Sequence, residues 1–377
     1  MKSQVFFTDL SVGSGKNLLD KLDALLDCTD LKGKIQEKDL VAIKLHFGEK
    51  GNTAFVRPLF VKRVVEQVKR HRGKPFLTDT NTLYAGTRSE AISHLTTAYQ
   101  NGFAYSAVDA PILIADGLRG NSGLKVRIDK PLLKTASIAH EIYMADALIC
   151  VTHFTGHELS GFGGALKNLG MGCANREGKL SQHSNISPKV KEKACTGCKR
   201  CLQWCPVEAI TMMPPSPEVE RKKGTALIDP KTCIGCGECI LTCPTGAIQI
   251  RWNETSLLFQ KKMAEYAYGA VQRKRGKVLY LNFLTQITPA CDCNRFSETP
   301  IVNDIGILSS EDPVAIDQAS VDLVNREEGN RASKLQKNWN PGEDKFRAIY
   351  PEIDWSIQLV HGEEISLGTR NYELIKI

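Results

Sequence analysis

Thirteen cysteines stand in this 377-residue chain, and eight of them fall into a pattern that can do chemistry. Residues 195 to 206 read CTGCKRCLQWCP, and residues 233 to 244 read CIGCGECILTCP. Both fit C-x2-C-x2-C-x3-C-P, and both run on to an Ala-Ile pair, in PVEAI and PTGAI. The stretch is therefore an internal duplication as well as a motif. Three cysteines two residues apart lie on a tight loop that can wrap one cubane iron–sulfur centre corner by corner. Zinc more often takes two C-x2-C pairs than a triple plus a Cys-Pro, repeated twice. The spacing thus favours [4Fe–4S] centres over zinc. Gly197, Gly235 and Gly237 suit close approach of backbone N–H groups to sulfur.

Over roughly residues 188 to 251 the stretch resembles the bacterial two-cluster ferredoxins. In those proteins the fourth cysteine, followed by proline, ligates the other cluster. The resemblance implies Cys195, Cys198, Cys201 and Cys243 around one [4Fe–4S] cluster, and Cys233, Cys236, Cys239 and Cys205 around the second. One departure is the 27 residues between Cys205 and Cys233, which include PPSPEVERKKG. That surplus reads as a hairpin extension.

The elements around the cysteines have a different rhythm. KNLLDKLDALLD places Leu18, Leu19, Leu22, Leu25 and Leu26 on one helical face. Arg57-Pro58 opens a second helix that ends near Gly73. VAIKLHF, PFLTDT, ALICVTHF and KVLYLNFL read as strands, with helices expected around 137–145 and 257–272. Asp312-Pro313 makes an N-cap and first-turn pair for a further helix. The segment from Asn330 on has a weak pattern and is expected to cover the outside. Strands alternating with helices imply an α/β host with a mostly parallel sheet. Because such material lies on both sides of the cysteines, the expected layout is a host domain (1–187 and 252–377) interrupted by an inserted α+β ferredoxin-type module (188–251). Two α/β domains joined by a ferredoxin linker is the alternative.

In open α/β sheets, ligands bind beyond the carboxyl ends of the strands. The expected strand ends carry Lys44, His46 and Glu49, then Asp79, Asn81, Tyr84 and Arg88, then His153 and His157. The run GFGGALKNLGMG, residues 161 to 172, follows, and later come Asn282, Cys291, Cys293 and Asp304. The candidate catalytic groups are Lys44, His46, Asp79, Lys167, Cys291 and Cys293. Gly163, Gly164, Lys167 and Asn168 are a candidate cradle for an anion or a cofactor phosphate, since glycines expose N–H groups ahead of a helix. A close-packing loop without a ligand has equal standing. The run fits neither the Walker pattern nor G-x-G-x-x-G, because Leu166 stands where the third glycine belongs. His153 and His157 suit one metal only on a helix, and Thr155-Gly156 between them favours a loop.

LHFGE, TDTNTLYAGTR, GGALKNLGMG and DIGILSSEDPVAIDQASVDL, spread over most of residues 40 to 325, resemble the domain-of-unknown-function 362 family of iron–sulfur centre proteins. The resemblance implies the same layout and the ferredoxin ligands, and it implies no particular reaction.

Five cysteines remain: Cys28, Cys150, Cys173, Cys291 and Cys293. The first two are most simply structural, since a free cysteine often packs like a small hydrophobe. In an extended segment Cys291 and Cys293 share a side, close enough to chelate one soft metal, with Asp292 facing away. Cys173 and a histidine among His46, His153, His157 and His183 could complete a third metal site. A reactive thiol pair, or two thiols with no partner, are the alternatives.

Composition narrows the class. The formal charge is +7, with basic clusters at Lys189, Lys191, Lys193, Lys199 and Arg200, at 221–223 and at 273–277. A solvated surface flanking anionic centres is preferred over nucleic-acid binding. No apolar run of membrane-spanning length appears, and MKSQVFFTDLSVG does not read as a leader, so the expected compartment is the cytoplasm. The expected function is an iron–sulfur redox protein that moves electrons between its clusters and an α/β cleft. Its partner would be a redox protein or a small-molecule acceptor; as an enzyme it would be an oxidoreductase of unknown substrate. The alternative is a binding, maturation or redox-sensing protein with structural or sensory clusters. There is no G-x-S-x-G elbow and no H-E-x-x-H.

Overall fold

A computed structural model describes residues 2–13, 15–184, 187–215 and 224–377. The tip of the expected hairpin extension and the basic residues at 221–223 lie outside the described residues.

Eight strands form the main sheet: β1 (Ser3–Asp9), β2 (Leu40–Lys44), β3 (Lys74–Asp79), β4 (Ile112–Ile114), β5 (Ala147–His153), β6 (Val278–Leu284), β7 (Gly306–Ser310) and β8 (Tyr372–Lys376). Their order is β8-β1-β7-β6-β5-β2-β3-β4. Every neighbouring pair is parallel except the two that involve β7. The four adjacent strands β6, β5, β2 and β3 therefore end at one edge. All seven residues of β5 and of β6 are buried, as expected for strands covered on both faces.

Side chains alternate across these strands. Ala42, Leu148, Cys150 and Tyr280 face one layer, built on α3 (Ala165–Gly170), α5 (Ser256–Val271) and α6 (Pro313–Arg326), with α4 (Arg176–His183) packed on α5. Val41, Ile43, Ile149 and Leu281 face the other, where α1 (Leu18–Cys28) and α2 (Pro58–Arg70) supply Leu22, Leu25, Val61 and Val64. The caps explain where the helices start. Asn17 and Asp20 form a capping box on α1, Pro58 opens α2, and Asp312 accepts from Val314 and Ala315 at the head of α6.

Two expectations are corrected. The 137–145 helix is half strand: Thr135–Ala139 pairs antiparallel with Gly123–Arg127, and only His140–Met144 is helical. The apolar residues of TASIA alternate, and that alternation prevails. The C-terminal segment does not merely cover the outside. It supplies β8, parallel to β1, and it buries Phe346 and Leu359 in the core.

The main sheet draws strands from both sides of residues 188–251. That stretch forms its own two-stranded ladders, Lys189–Val190 with Ile248–Gln249 and Ile210–Met213 with Thr225–Ile228. Its two ends meet. Ser184 Oγ donates to Asn253 Oδ1 at 2.8 Å, and the His183 and Trp252 rings lie 4.7 Å apart, edge to face.

Candidate functional site

The eight motif cysteines surround two small cavities. Cys195, Cys198, Cys201 and Cys243 line one, and Cys205, Cys233, Cys236 and Cys239 line the other. The duplication extends to the backbone. Gly197 and Lys199 have φ of 64° and 63°, and Gly235 and Gly237, 38 positions on, have 72° and 73°. Ala209 N–H donates to Cys205 Sγ at 3.2 Å, and Ala247 N–H donates to Cys243 Sγ at 3.2 Å. Such bonds favour thiolate sulfur.

Each cavity is lined by four cysteines, the donor type that a cubane requires. Among the described residues no three His, Cys, Asp or Glu groups are placed to share one metal ion. Zinc draws its four ligands to about 2.3 Å, whereas each thiolate of a cubane holds a different iron. Burial and crowding by neighbouring thiols raise Cys201 and Cys239. Cys243 is among the neighbours of Cys201, and Cys205 among those of Cys239.

The second quartet packs on the host. Gly237 packs closely on the host: a Cβ there would stand 3.0 Å from the Arg176 side chain and 3.7 Å, ordinary contact, from Leu83 Cδ1. Leu83 packs with Leu180 of the host and with Ile250 and Ile240 of the module. Arg119 joins the two parts, bonding Glu238 at 3.2 Å and lying 4.0 Å over the Trp204 ring.

Leu83 also lines a cleft of about 410 Å3 beyond the carboxyl ends of β2, β3, β5 and β6. The sheet brings Lys44, His46, Asp79, Tyr84, Arg88, His153, His157, Lys167, Cys291 and Cys293 there. Asn282 and Asp304 are elsewhere: Asn282 donates to Asp317 and Ser320, and Asp304 caps Gln286 N–H. The floor is a charge lattice. Lys44 Nζ bonds Asp79 Oδ1 at 2.9 Å, Asn168 Oδ1 at 2.7 Å and the Leu45 carbonyl at 3.2 Å. Arg88 pairs with Glu49 at 3.2 Å and donates to Tyr84 Oη at 2.9 Å. Burial alone would raise the Asp79 carboxyl, but the Lys44 ammonium, with the Arg88 guanidinium, outweighs it and holds it below the usual range. Burial, with Arg88 beside it, keeps His46 neutral, and its Nδ1 accepts from Gly48 N–H at 3.0 Å. Lys44 and Asp79 thus hold each other, and Asp79 is not poised as a base.

The glycine-rich run is a packing device, which corrects the anion-cradle reading. The N–H groups of Ala165 and Leu166, at the head of α3, already donate to the Asp317 carboxylate at 2.7 and 2.9 Å. A Cβ on Gly164 would overlap that carboxylate. Asn168 is fully engaged, with Lys44 on its oxygen and Val151 O and Thr152 Oγ1 on its nitrogen. Gly163 leaves space for the next turn, since a Cβ there would stand 3.0 Å from Lys167 Cδ. Lys167 is thereby aimed into the cleft, where Nζ donates to Cys291 Sγ at 2.8 Å.

Cys291 and Cys293 sit on a turn, not an extended segment, and Asp292 does not face solvent. It bonds His153 Nδ1 at 2.9 Å, while His153 Nε2 donates to Thr285 O at 2.7 Å. Burial opposes the imidazolium, and Asp292 more than restores it, so His153 is raised above its ordinary value. Both ring nitrogens are occupied and neither is offered to a metal. His157 Nδ1 accepts from Leu159 and Ser160 N–H, and burial keeps the ring neutral with its proton on Nε2. Cys173 is fully buried, near the Asn168 carbonyl rather than in the cleft. The third metal site is therefore not assembled: the thiol pair has an ammonium beside it instead of imidazoles.

The turn is pinned at six consecutive carbonyls. Gly156 N–H reaches Thr288 O at 2.8 Å, and a Cβ on Gly156 would overlap the Pro289 carbonyl. Tyr350 Oη donates to Pro289 O at 2.8 Å, and Thr288 Oγ1 to Ala290 O at 2.7 Å. Asn294 N–H, Glu49 N–H and Tyr84 Oη donate to the carbonyls of Cys291, Asp292 and Cys293 at 3.0, 3.1 and 3.0 Å. Cys291 is held below the ordinary thiol value by the Cys293 thiol and the Lys167 ammonium, and Cys293 is raised in turn.

Sequence reasoning did not find Lys179, Trp252 and Phe259. Lys179 is a buried strut that bonds Thr80 Oγ1, Asn81 O and Ala174 O. Phe259 stacks on His183 at 4.9 Å, making an aromatic wall with Trp252. Trp252, the first host residue after the module, was the available signal.

No curated protein matches the chain. Among solved structures it is similar to the lactate racemase apoprotein from Thermoanaerobacterium thermosaccharolyticum, with 11% identity and a TM-score of 0.39. That match covers 84% of this chain and 58% of the other. It is also similar to a structural-genomics protein from Thermotoga maritima, with 8% identity, a TM-score of 0.35, and coverage of 93% and 60%. The chain thus spans less than two thirds of either structure's length. No helix among the described residues is long and apolar enough to cross a membrane. Residues 41–322 match the profile described as "Domain of unknown function (DUF362)", and on that span the chain belongs to the domain-of-unknown-function 362 family.

Proposed function

We propose that this protein is an iron–sulfur redox protein whose inserted two-cluster module exchanges electrons with the α/β cleft. One observation carries the reading: the loop of the second cysteine quartet packs on Leu83, whose side chain also lines the cleft. Cys195, Cys198, Cys201 and Cys243 would hold one [4Fe–4S] centre, and Cys205, Cys233, Cys236 and Cys239 the other. When bound, each centre supplies one electron at a time. The chain's own groups do the rest. Gly197 and Gly235 turn the loops so that backbone can approach sulfur. Leu83, Trp252 and Phe259 make the cleft wall apolar. Lys167 places positive charge beside the Cys291 sulfur.

The test is anaerobic preparation followed by iron and sulfide assay and a reductive titration. The expected result is about eight irons and eight sulfides per chain, bleached by dithionite and restored by an acceptor that enters the cleft. Zinc in place of iron, or centres that reoxidise at the same rate when Leu159→Trp narrows the cleft, would count against the reading.

A further inference from the structure

Cys291 and Cys293 belong to neither quartet, yet the structure spends much on holding them. All six carbonyls from Thr288 to Cys293 are bonded. Asp292 between them is drawn off to His153, which leaves both sulfurs lining the cleft. Lys167 Nζ lies 2.8 Å from Cys291 Sγ, and Cys293 N–H donates to the same sulfur at 3.3 Å. Two donors converge on one sulfur, an arrangement that suits a thiolate and fixes which thiol attacks. Residues two apart on a turn also bring their Cα atoms within the roughly 4.4–6.8 Å that a disulfide spans.

The cluster module reaches the same turn. Leu83 contacts the module, the next residue is Tyr84, and Tyr84 Oη donates to Cys293 O at 3.0 Å. Cys291 is 4% exposed at the floor of a cleft of about 410 Å3, so a protein disulfide cannot reach it, whereas a small molecule can.

We infer that Cys291 and Cys293 form a two-electron dithiol–disulfide couple, with Cys291 attacking and Cys293 resolving, and that its substrate is a small-molecule disulfide. The inference rests on the iron–sulfur reading for its electrons. The thiolate of Cys291, paired with the Lys167 ammonium, attacks one sulfur of R–S–S–R′. A Cys291–S–S–R bond forms, the substrate S–S bond breaks, and R′S⁻ leaves. The Cys293 proton passes to R′S⁻, and its sulfur attacks Cys291 Sγ. The Cys291–Cys293 disulfide closes and RS⁻ departs. Return of the pair to thiolate and thiol needs two electrons and one proton from solvent; the centres that the two cysteine quartets would hold could supply one electron each.

The experiment uses the full-length protein, prepared anaerobically, reduced, and exposed to bis(2-hydroxyethyl) disulfide. Acid quench, alkylation and peptide mass analysis then read the cysteines. The expected wild-type product is an internal Cys291–Cys293 disulfide, and Cys293→Ser should instead carry the mercaptoethanol adduct on Cys291. Coulometric reduction of the oxidised wild type should take about four electrons per chain, against about two for the Cys291→Ser/Cys293→Ser double variant, which forms neither link nor adduct. Iron-loaded protein that forms neither link nor adduct overturns the couple and leaves the clusters standing. An anaerobic preparation that contains no iron yet forms both, or an iron-loaded one whose reduced centres leave the Cys291–Cys293 disulfide unreduced, overturns the electron supply, and with the former the reading of the module goes too.

Discussion

Replacing Lys167 by methionine keeps an unbranched side chain of similar length and removes the ammonium 2.8 Å from Cys291 Sγ. Two opposing effects set the outcome. Bare Coulomb attraction at that distance is about 6 kcal/mol with an effective dielectric near 20, but burial of the thiolate cancels much of it. Hydrogen bonds to charged groups have net values of about 1.5–3 kcal/mol. At about 1.4 kcal/mol per pKa unit, the Cys291 thiol should titrate about 1–2 units higher in the variant. The comparison is best made in a Cys293→Ser background, where Cys291 titrates alone. The measurement is the rate of Cys291 alkylation by iodoacetamide against pH, followed on the peptide by mass. The inflection should move up on Lys167→Met, with the limiting rate at high pH preserved. Curves that superimpose within a few tenths of a unit would show that the ammonium does not support a thiolate, and the assignment of Cys291 as the attacking group would go with it.

Cys201→Ser and Cys239→Ser should each remove one centre, so that iron falls from about eight to about four per chain; an equal loss of both centres from either variant would contradict separate quartets. Gly156→Ala forces a methyl into the Pro289 carbonyl, and should cost about 1–3 kcal/mol, read as a lower Tm together with faster alkylation of Cys291. Asp292→Asn removes the partner that raises His153. A raised histidine contributes stability that is full below its unfolded pKa of about 6.5 and is lost as pH rises through its folded value. The wild-type advantage in urea unfolding should therefore be larger at pH 5.5 than at pH 9, and a difference that does not change with pH would refute the charged pair.

The strands were legible because their signals are local. ALICVTH and VLYLNFL are apolar throughout, and both are buried to the last residue. The edge position of the polar groups followed from parallel strands, so Lys44, Asp79, His153 and Cys291 could be placed together before any contact was known. What could not be read was what each polar group spends its bonds on. GFGGALKNLGMG offers N–H groups at a helix start, but Asp317, some 150 positions away, takes them. Asp292 was expected to face away because an extended segment was assumed; a turn reverses that, and its partner His153 is 139 positions distant. Short elements escaped too. The five residues of β8 carry too little pattern to distinguish an edge strand from a tail, and only pairing with β1 decides it.

The place of the module in the chain follows from the same geometry. Loop closure adds little when an insertion leaves and returns at one point, and here Ser184 and Asn253 are hydrogen-bonded to each other. Many surface loops would satisfy that condition. This one differs because the residues just inside the host, His183 and Trp252, are themselves cleft wall. The insertion point thus sets the separation between module and cleft without further design. The close packing of Gly237 on Arg176 and Leu83 then helps to hold the module's orientation, since a side chain at 237, where φ is 73°, is strained and crowds Arg176. Gly237→Val should accordingly leave the iron content of the first quartet intact while slowing electron exchange between the module and the Cys291–Cys293 pair.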